Sequence, residues 1–203
     1  INSGSGNSNP PMYMIGAATI DDSKLIFTAD DGSHGAELWI TDGTESGTSL
    51  IKDINTGTLD PNNTGRGVSV KPTVLNDYAY LFAYDSSGDL ELWRTDGTES
   101  GTSLVKDINE SGSCNGYILG VLNNKLLFSA DDGSNGYELW ITDGTESGTS
   151  LIKDINSGLS SSRPLNAIVY KDHIYFSADN GSNGRELWRS DGTADGTTLF
   201  KEF

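Results

Sequence analysis

One phrase is written four times in this chain: Glu37-Leu38-Trp39, Glu91-Leu92-Trp93, Glu138-Leu139-Trp140 and Glu186-Leu187-Trp188, each with Asp-Gly-Thr beginning three residues after the tryptophan. The tryptophans stand 54, 47 and 48 residues apart, inside the period range of propeller blades and repeat arrays. Four units of that length consume nearly all of the 203 residues. Residues 37–55 are identical to residues 138–156, so these units carry the same packing element. Individuality is left to the stretches between repeats, residues 56–72, 110–116 and 157–164.

The third unit shows how one repeat folds. Residues 117–122 and 126–130 are short apolar runs separated by Asn123-Asn124, a hairpin signal. A Gly-rich loop leads to a third strand over 137–142, and Asp143-Gly144-Thr145 turns the chain into a fourth over 149–155. In the third strand Leu139 and Ile141 alternate with Trp140, so both faces of the sheet are apolar. A half-solvated sandwich would show one polar face, whereas a propeller blade is covered by a neighbour on each side. No stretch of helical length keeps a three-to-four residue apolar spacing free of Gly interruption.

The expected fold is therefore all-β, a beta-propeller of four-stranded antiparallel blades, with four blades in this chain. The blades fall at about 11–55, 66–109, 117–156 and 164–203, after a Gly, Ser and Asn rich segment over 1–10 that is expected to be loose. Three closures are compatible with that reading: a ring of four blades, a part of a larger ring, or two chains joined.

Composition narrows the partners. Acidic residues outnumber basic ones 29 to 13, for a formal charge of -16, which disfavours nucleic acid and anionic membrane surfaces. Four Trp, eight Tyr and six Phe in periodic runs argue for a folded core. No apolar stretch is long enough to span a bilayer, and a chain beginning at Ile1 reads as a processed product or a fragment. A lone Cys114 excludes an intrachain disulfide framework and a cysteine-rich zinc clip.

At Glu138-Leu139-Trp140-Ile141-Thr142-Asp143-Gly144-Thr145, and at the matching phrase of the other units, the chain resembles the bacterial repeat family named for its Glu-Leu-Trp, two variable residues, Asp-Gly-Thr signature. The resemblance covers the chain beyond its first ten residues. It implies secreted or cell-surface proteins, generally expected to form propellers and generally without a demonstrated enzymatic role. The fourth unit departs at Ser190, where the others have Thr, and at Ala194-Asp195, where they have Glu-Ser.

In a propeller the loops between second and third strands and those between successive blades emerge on one face, the expected recognition face. It receives Asp30, Asp31, His34, Asp85, Asp89, Asp131, Asp132, Asn135, Asp179 and Asn180. Carboxylates at Asp31, Asp131, Asp132 and Asp179 have the hard oxygens calcium takes, though not the spacing of the twelve-residue calcium loop, and the competing reading is a solvated turn in which each Asp caps its own backbone. Asp42, Asp96, Asp143 and Asp191 are read as turn residues, and Trp39, Trp93, Trp140 and Trp188 as core. Recurrent Glu at 37, 91, 138 and 186 and Lys at 52, 106, 153 and 201 suggest exposed ion pairs at the outer part of each blade. Two histidines, His34 and His173, and the isolated Cys114 offer no metal-ligand or nucleophile-base spacing.

The function expected from these features is an extracellular, non-enzymatic propeller module for structural assembly or adhesion. The alternative is a glycan-binding or calcium-dependent module, and a hydrolase ranks below both. Partners would be a protein or glycan at a surface, or further copies of the chain.

Overall fold

The computed structural model describes residues 17–20, 23–31, 33–56 and 72–203. The expectations for the first ten residues, for most of the 56–72 stretch and for the early part of the first strand in blades one and two lie outside the described residues, as does the Asp30 side chain.

The chain is all-β, and its described residues form sixteen strands in four separate four-stranded antiparallel sheets of the propeller-blade type. Blade one is β1 (Ala18–Ile20), β2 (Lys24–Asp30), β3 (Ala36–Thr41) and β4 (Ser49–Lys52). Blade two is β5 (Thr73–Leu75), β6 (Tyr78–Tyr84), β7 (Leu90–Thr95) and β8 (Ser103–Lys106). Blade three is β9 (Tyr117–Leu122), β10 (Lys125–Asp131), β11 (Tyr137–Thr142) and β12 (Ser150–Lys153). Blade four is β13 (Leu165–Tyr170), β14 (His173–Asp179), β15 (Arg185–Ser190) and β16 (Thr198–Lys201). In every sheet the spatial order is the chain order. The chain divides into two compact units, residues 1–104 and 105–203. Among the described residues no helix is long and apolar enough to cross a membrane.

Register explains the repeated apolar phrase. In blade three Phe128 lies opposite Trp140 and Ser129 opposite Leu139, so Phe128 and Trp140 share one face while Leu139 faces the other. The ladder between β11 and β12 shifts between Leu139 and Trp140, and the same shift recurs at Leu38/Trp39 and Leu187/Trp188. The extra residue there, Ile152 or Ile51, is buried, so the bulge turns an outer-strand side chain into the core. In the second unit Leu122, Leu127, Leu139 and Ile152 of blade three pack against Ile174, Phe176, Ala178 and Trp188 of blade four. In the first unit Ile20, Ile26, Leu38 and Ile51 pack against Ala79, Leu81, Ala83 and Trp93. Each pair of blades buries a trailing face on a leading one.

The Asp-Gly-Thr segment is a closed hydrogen-bond circuit. Asp143 Oδ1 accepts from Thr145 N at 2.9 Å and from Thr145 Oγ1 at 2.7 Å. Thr145 Oγ1 accepts from Gly148 N at 3.0 Å, and the Thr149 hydroxyl donates to Thr145 O at 2.6 Å. Thr142 and Thr149 join their hydroxyls across the strand ends at 2.7 Å. A Cβ on Gly148 would overlap the Asp143 carboxylate, which is why a glycine stands six residues after Thr142. Blade four keeps the circuit with Ser190, whose Oγ meets Thr197 Oγ1 at 2.8 Å. Only the hydroxyl is needed, so the Thr-to-Ser departure is structurally silent.

The repeated glutamates differ from the expectation of exposed ion pairs. Glu37, Glu91, Glu138 and Glu186 are all buried. Glu37 accepts from Ile54 N at 3.0 Å and Asn55 N at 3.2 Å, and Glu186 from Phe203 N at 2.8 Å. Each catches the chain as it leaves the fourth strand, giving backbone donors that have left the ladder an acceptor. The lysines reach the next blade instead: Lys52 Nζ donates to Thr102 O at 3.0 Å and Lys153 Nζ to Thr197 O at 2.8 Å. A fourth strand expected over 149–155 ends at Lys153 for this reason, because Ile155 N donates to Glu138 Oε2 at 2.8 Å.

Burial has a consequence for pH. Desolvation raises Glu37 from 4.5 to about 7, against the opposing pull of Ile54 N and Asn55 N. A carboxyl whose folded pKa lies above its unfolded one makes the fold lose stability as pH rises from 4.5 through about 7, here on the order of 3 kcal/mol. Asp42, Asp96, Asp143 and Asp191 act in the opposite sense. Hydrogen bonds from the following threonine hydroxyl lower each below 3.8, so their contribution is present above that value and is lost as pH falls through the lower folded values. Thermal unfolding followed by circular dichroism is therefore expected to give a maximum near about pH 5. Glu37→Gln should flatten the decline between pH 5 and 7.5, and an unchanged slope in that variant refutes the assignment.

Candidate functional site

The acidic loop residues are committed to local structure. Asp31 Oδ1 accepts from Ser33 N at 2.8 Å and His34 N at 3.0 Å, while His34 Nδ1 lies 2.7 Å from Asp31 Oδ2. Although desolvation pulls the other way, the bonds from His34 and Ser33 hold Asp31 below its ordinary value, and Asp31 in turn raises His34. Asp132 repeats the arrangement with Asn135, accepting from Ser134 N, Asn135 N and Asn135 Nδ2 at 2.8 to 2.9 Å. Asn180 accepts from Ser182 N and Asn183 N, Asp131 from Gly133 N and Asp179 from Gly181 N. Asp85 accepts from Ser87 N and Asp89 N.

Calcium needs six to eight gathered oxygens. Among the described residues no group of three or more His, Cys, Asp or Glu side chains is gathered for a metal, and the oxygens at Asp31, Asp131, Asp132 and Asp179 already take backbone amides.

A different site lies on the same loops in the second unit. A cavity of about 300 Å³ is lined by Asn115, Tyr117, Ser129, Tyr137, Arg163 and Leu165. Its position follows from how the connectors between blades are tied down. Cys114 O accepts from Asp131 N at 3.0 Å and Ser162 O from Asp179 N at 2.9 Å, so Cys114 and Ser162 are equivalent and Asn115 and Arg163 are the residues that follow. Both take left-handed backbone, with φ of 46° and 47°. Asn tolerates this conformation, whereas Arg163 adopts it directly before Pro164, where the preceding residue is ordinarily extended. Strain of this kind persists only when neighbours enforce it.

The enforcing contacts are visible. Arg163 N donates to Tyr137 O at 3.0 Å, and Ser161 Oγ accepts from Tyr137 N at 3.1 Å. Ser162 N and Oγ donate to the buried Glu138 at 2.7 and 2.6 Å. Desolvation raises Glu138 above its ordinary value, with the Ser162 and Ile155 donors opposing it. Arg185 Nη1 donates to Arg163 O at 2.9 Å. The result holds the Arg163 guanidinium 5.8 Å from the Tyr137 ring centre, within cation–π range. Tyr117 and Leu165 open the first strands of blades three and four beside it, both exposed.

The loops singled out from sequence, 110–116 and 157–164, do supply Asn115 and Arg163. The acidic residues named there line none of this cavity. Its other side chains sit where the repeats diverge: the position before each Glu-Leu-Trp reads Ala36, Leu90, Tyr137 and Arg185. That divergence beside a segment repeated without change was the available signal. The tryptophans lie elsewhere, Trp140 and Trp188 buried and Trp39 and Trp93 half-buried.

No protein-family model matches the chain, and no characterised protein matches it in sequence. Solved structures share its fold. TolB from Acinetobacter baumannii aligns with a TM-score of 0.56 at 9% identity, over 91% of this chain and 42% of that one. Puromycin hydrolase aligns with a TM-score of 0.56 at 16% identity, over 91% of this chain and 28% of that one. A chain from an analysis of two prolyl endopeptidases gives 0.51 at 16% identity, over 87% of this chain and 26% of that one. The chain thus spans less than half the length of these structures, and at such identities the likeness is one of fold.

Proposed function

We propose that this chain is an extracellular or cell-surface, non-enzymatic propeller module for adhesion and assembly, of the bacterial repeat type whose Glu-Leu-Trp and Asp-Gly-Thr signature it carries. Its adhesive contact is the cavity between Tyr117, Tyr137 and Arg163, and the ligand is a glycan residue bearing a carboxylate. The observation that carries the reading is a guanidinium presented against a tyrosine ring in a pocket built from non-repeated side chains. Among the described residues that guanidinium has no hydrogen-bonded acceptor, in a chain of net charge -16. An arginine fork pairs with a carboxylate through two parallel bonds. Tyrosine offers an apolar face to a sugar ring and a hydroxyl at its rim, and the Asn115 carboxamide and Ser129 hydroxyl add short-range polar contacts. A volume of about 300 Å³ is at the small end of ligand pockets, which suits one or two sugar rings better than an extended peptide.

A glycan array read with and without chelator tests this. Signal is expected on carboxylated glycans and not on their neutral counterparts, unchanged by chelator. Arg163→Ala should weaken binding by about 10-fold or more, the worth of a charge-assisted pair. Flat signals in both arms overturn the ligand assignment, and loss of signal with chelator restores the calcium-dependent alternative.

A further inference from the structure

The blade-three cavity has a counterpart in blade four, and there the chain fills it with its own side chain. Asn115 and Arg163 are the equivalent connector residues. Ser129 and Ser177 lie opposite Leu139 and Leu187, and Tyr137 and Arg185 lie opposite Asp131 and Asp179. Tyr117 pairs with Ser129 as Leu165 does with Ser177. In blade four Arg185 folds back over this arrangement: its Nη1 donates to Arg163 O at 2.9 Å, to Ser177 O at 3.0 Å and to Ser177 Oγ at 3.1 Å. Ser177 Oγ passes its own hydrogen to Leu165 O at 3.1 Å. One nitrogen thus gathers three oxygens.

Blade three keeps the oxygens and lacks the nitrogen. The counterparts of the three acceptors are Asn115 O, Ser129 O and Ser129 Oγ, and both residues line the cavity. Tyr137 stands where Arg185 does, and its ring lies 5.8 Å from the Arg163 guanidinium instead. Ser129 is only 4% exposed, and among the described residues its hydroxyl has no hydrogen-bond partner. A buried hydroxyl left unpaired costs free energy, and a ligand donor at the place of Arg185 Nη1 supplies the missing bond.

We propose that the ligand's second determinant is an acylamino group, whose N–H takes the place of Arg185 Nη1 against Ser129 and Asn115 while the carboxylate pairs with Arg163. This rests on the carboxylated-glycan reading of the same cavity and narrows it to N-acylated amino sugars that are also acids. A neutral amide suits the position better than an ammonium, because the Arg163 charge shares the cavity and like charges repel there. It suits the position better than a hydroxyl, because Tyr117, opposite Ser129, and Leu165 expose apolar surface at the rim, which an acyl methyl covers.

Competition binding to the full chain tests this, with uronic and nonulosonic acid glycosides carrying acetamido, acetoxy, hydroxyl or free amine at one position. The acetoxy form keeps the shape and loses the donor. On at least one scaffold the acetamido form should bind about 10-fold tighter than the acetoxy form, and tighter than the hydroxyl and amine forms. In Ser129→Ala that ratio should fall to about 3-fold or less, with melting unchanged because this hydroxyl holds nothing in the fold. Equal binding of acetamido and acetoxy forms on both scaffolds overturns the inference and leaves the carboxylate reading standing. Absence of binding by every form overturns both. A hydroxyl or amine form that binds tightest overturns the acylamino assignment, and a full preference in Ser129→Ala overturns the place given to the N–H.

Discussion

Glu138→Ala is expected to destabilise the second unit by about 3 kcal/mol or more in urea titration, a large effect for one acidic residue in a strand. The side chain is wholly buried, and its donors include Ile155 N, Ser162 N and Ser162 Oγ. Removing it leaves two backbone amides and a hydroxyl without their acceptor in a dry site, and unmade bonds of that kind cost about 1–3 kcal/mol each. Relief of the carboxylate's own desolvation offsets part of the loss, which is why the total falls short of the sum. Glu138→Gln separates the two contributions. It keeps one acceptor oxygen but turns an amide donor toward the remaining N–H, so it should recover about half the stability. The substitution also releases the 157–164 connector, so Arg163 loses its hold over Tyr137 and glycan signal should fall in parallel. Equal stability of Glu138→Ala and wild type would show that these bonds are replaced by others at no cost.

The same glutamate shows where sequence stops being legible. Its recurrence four times, with a recurrent lysine on the neighbouring strand, marks both as part of the repeat. The choice between an ion pair and a backbone acceptor depends on burial, which the blade neighbours set. The Asp-Gly-Thr turns lie at the other extreme. Asp143, Thr145 and Gly148 act on each other within six residues, and local chemistry is readable from local sequence. Strand positions in the third and fourth units were legible for the same reason, since a period of two and a hairpin signal suffice. The cavity was not. Asn115 and Arg163 become equivalent only after connectors of different length are aligned through the hydrogen bonds of Cys114 and Ser162. A left-handed arginine before a proline contradicts local preference, so only tertiary structure reveals it.

Trp188→Ala is expected to cost about 3–5 kcal/mol, as emptying a buried aromatic site does, whereas Trp39→Ala, in the same phrase of the first unit, should cost about half as much in the isolated chain. The contrast comes from packing alone. Trp188 is 7% exposed within the cluster of Leu122, Leu127, Leu139 and Ile152, and its indole N–H has no hydrogen-bond partner, so no bond is lost with the ring. Trp39 stands opposite Phe27 on the leading face that also exposes Leu25, where part of the ring already meets water and its removal leaves a smaller cavity. Chemical unfolding of the two variants beside the unsubstituted chain checks this, with the larger loss expected at Trp188. Two identical penalties would mean that the two indoles have equal cover in the folded chain.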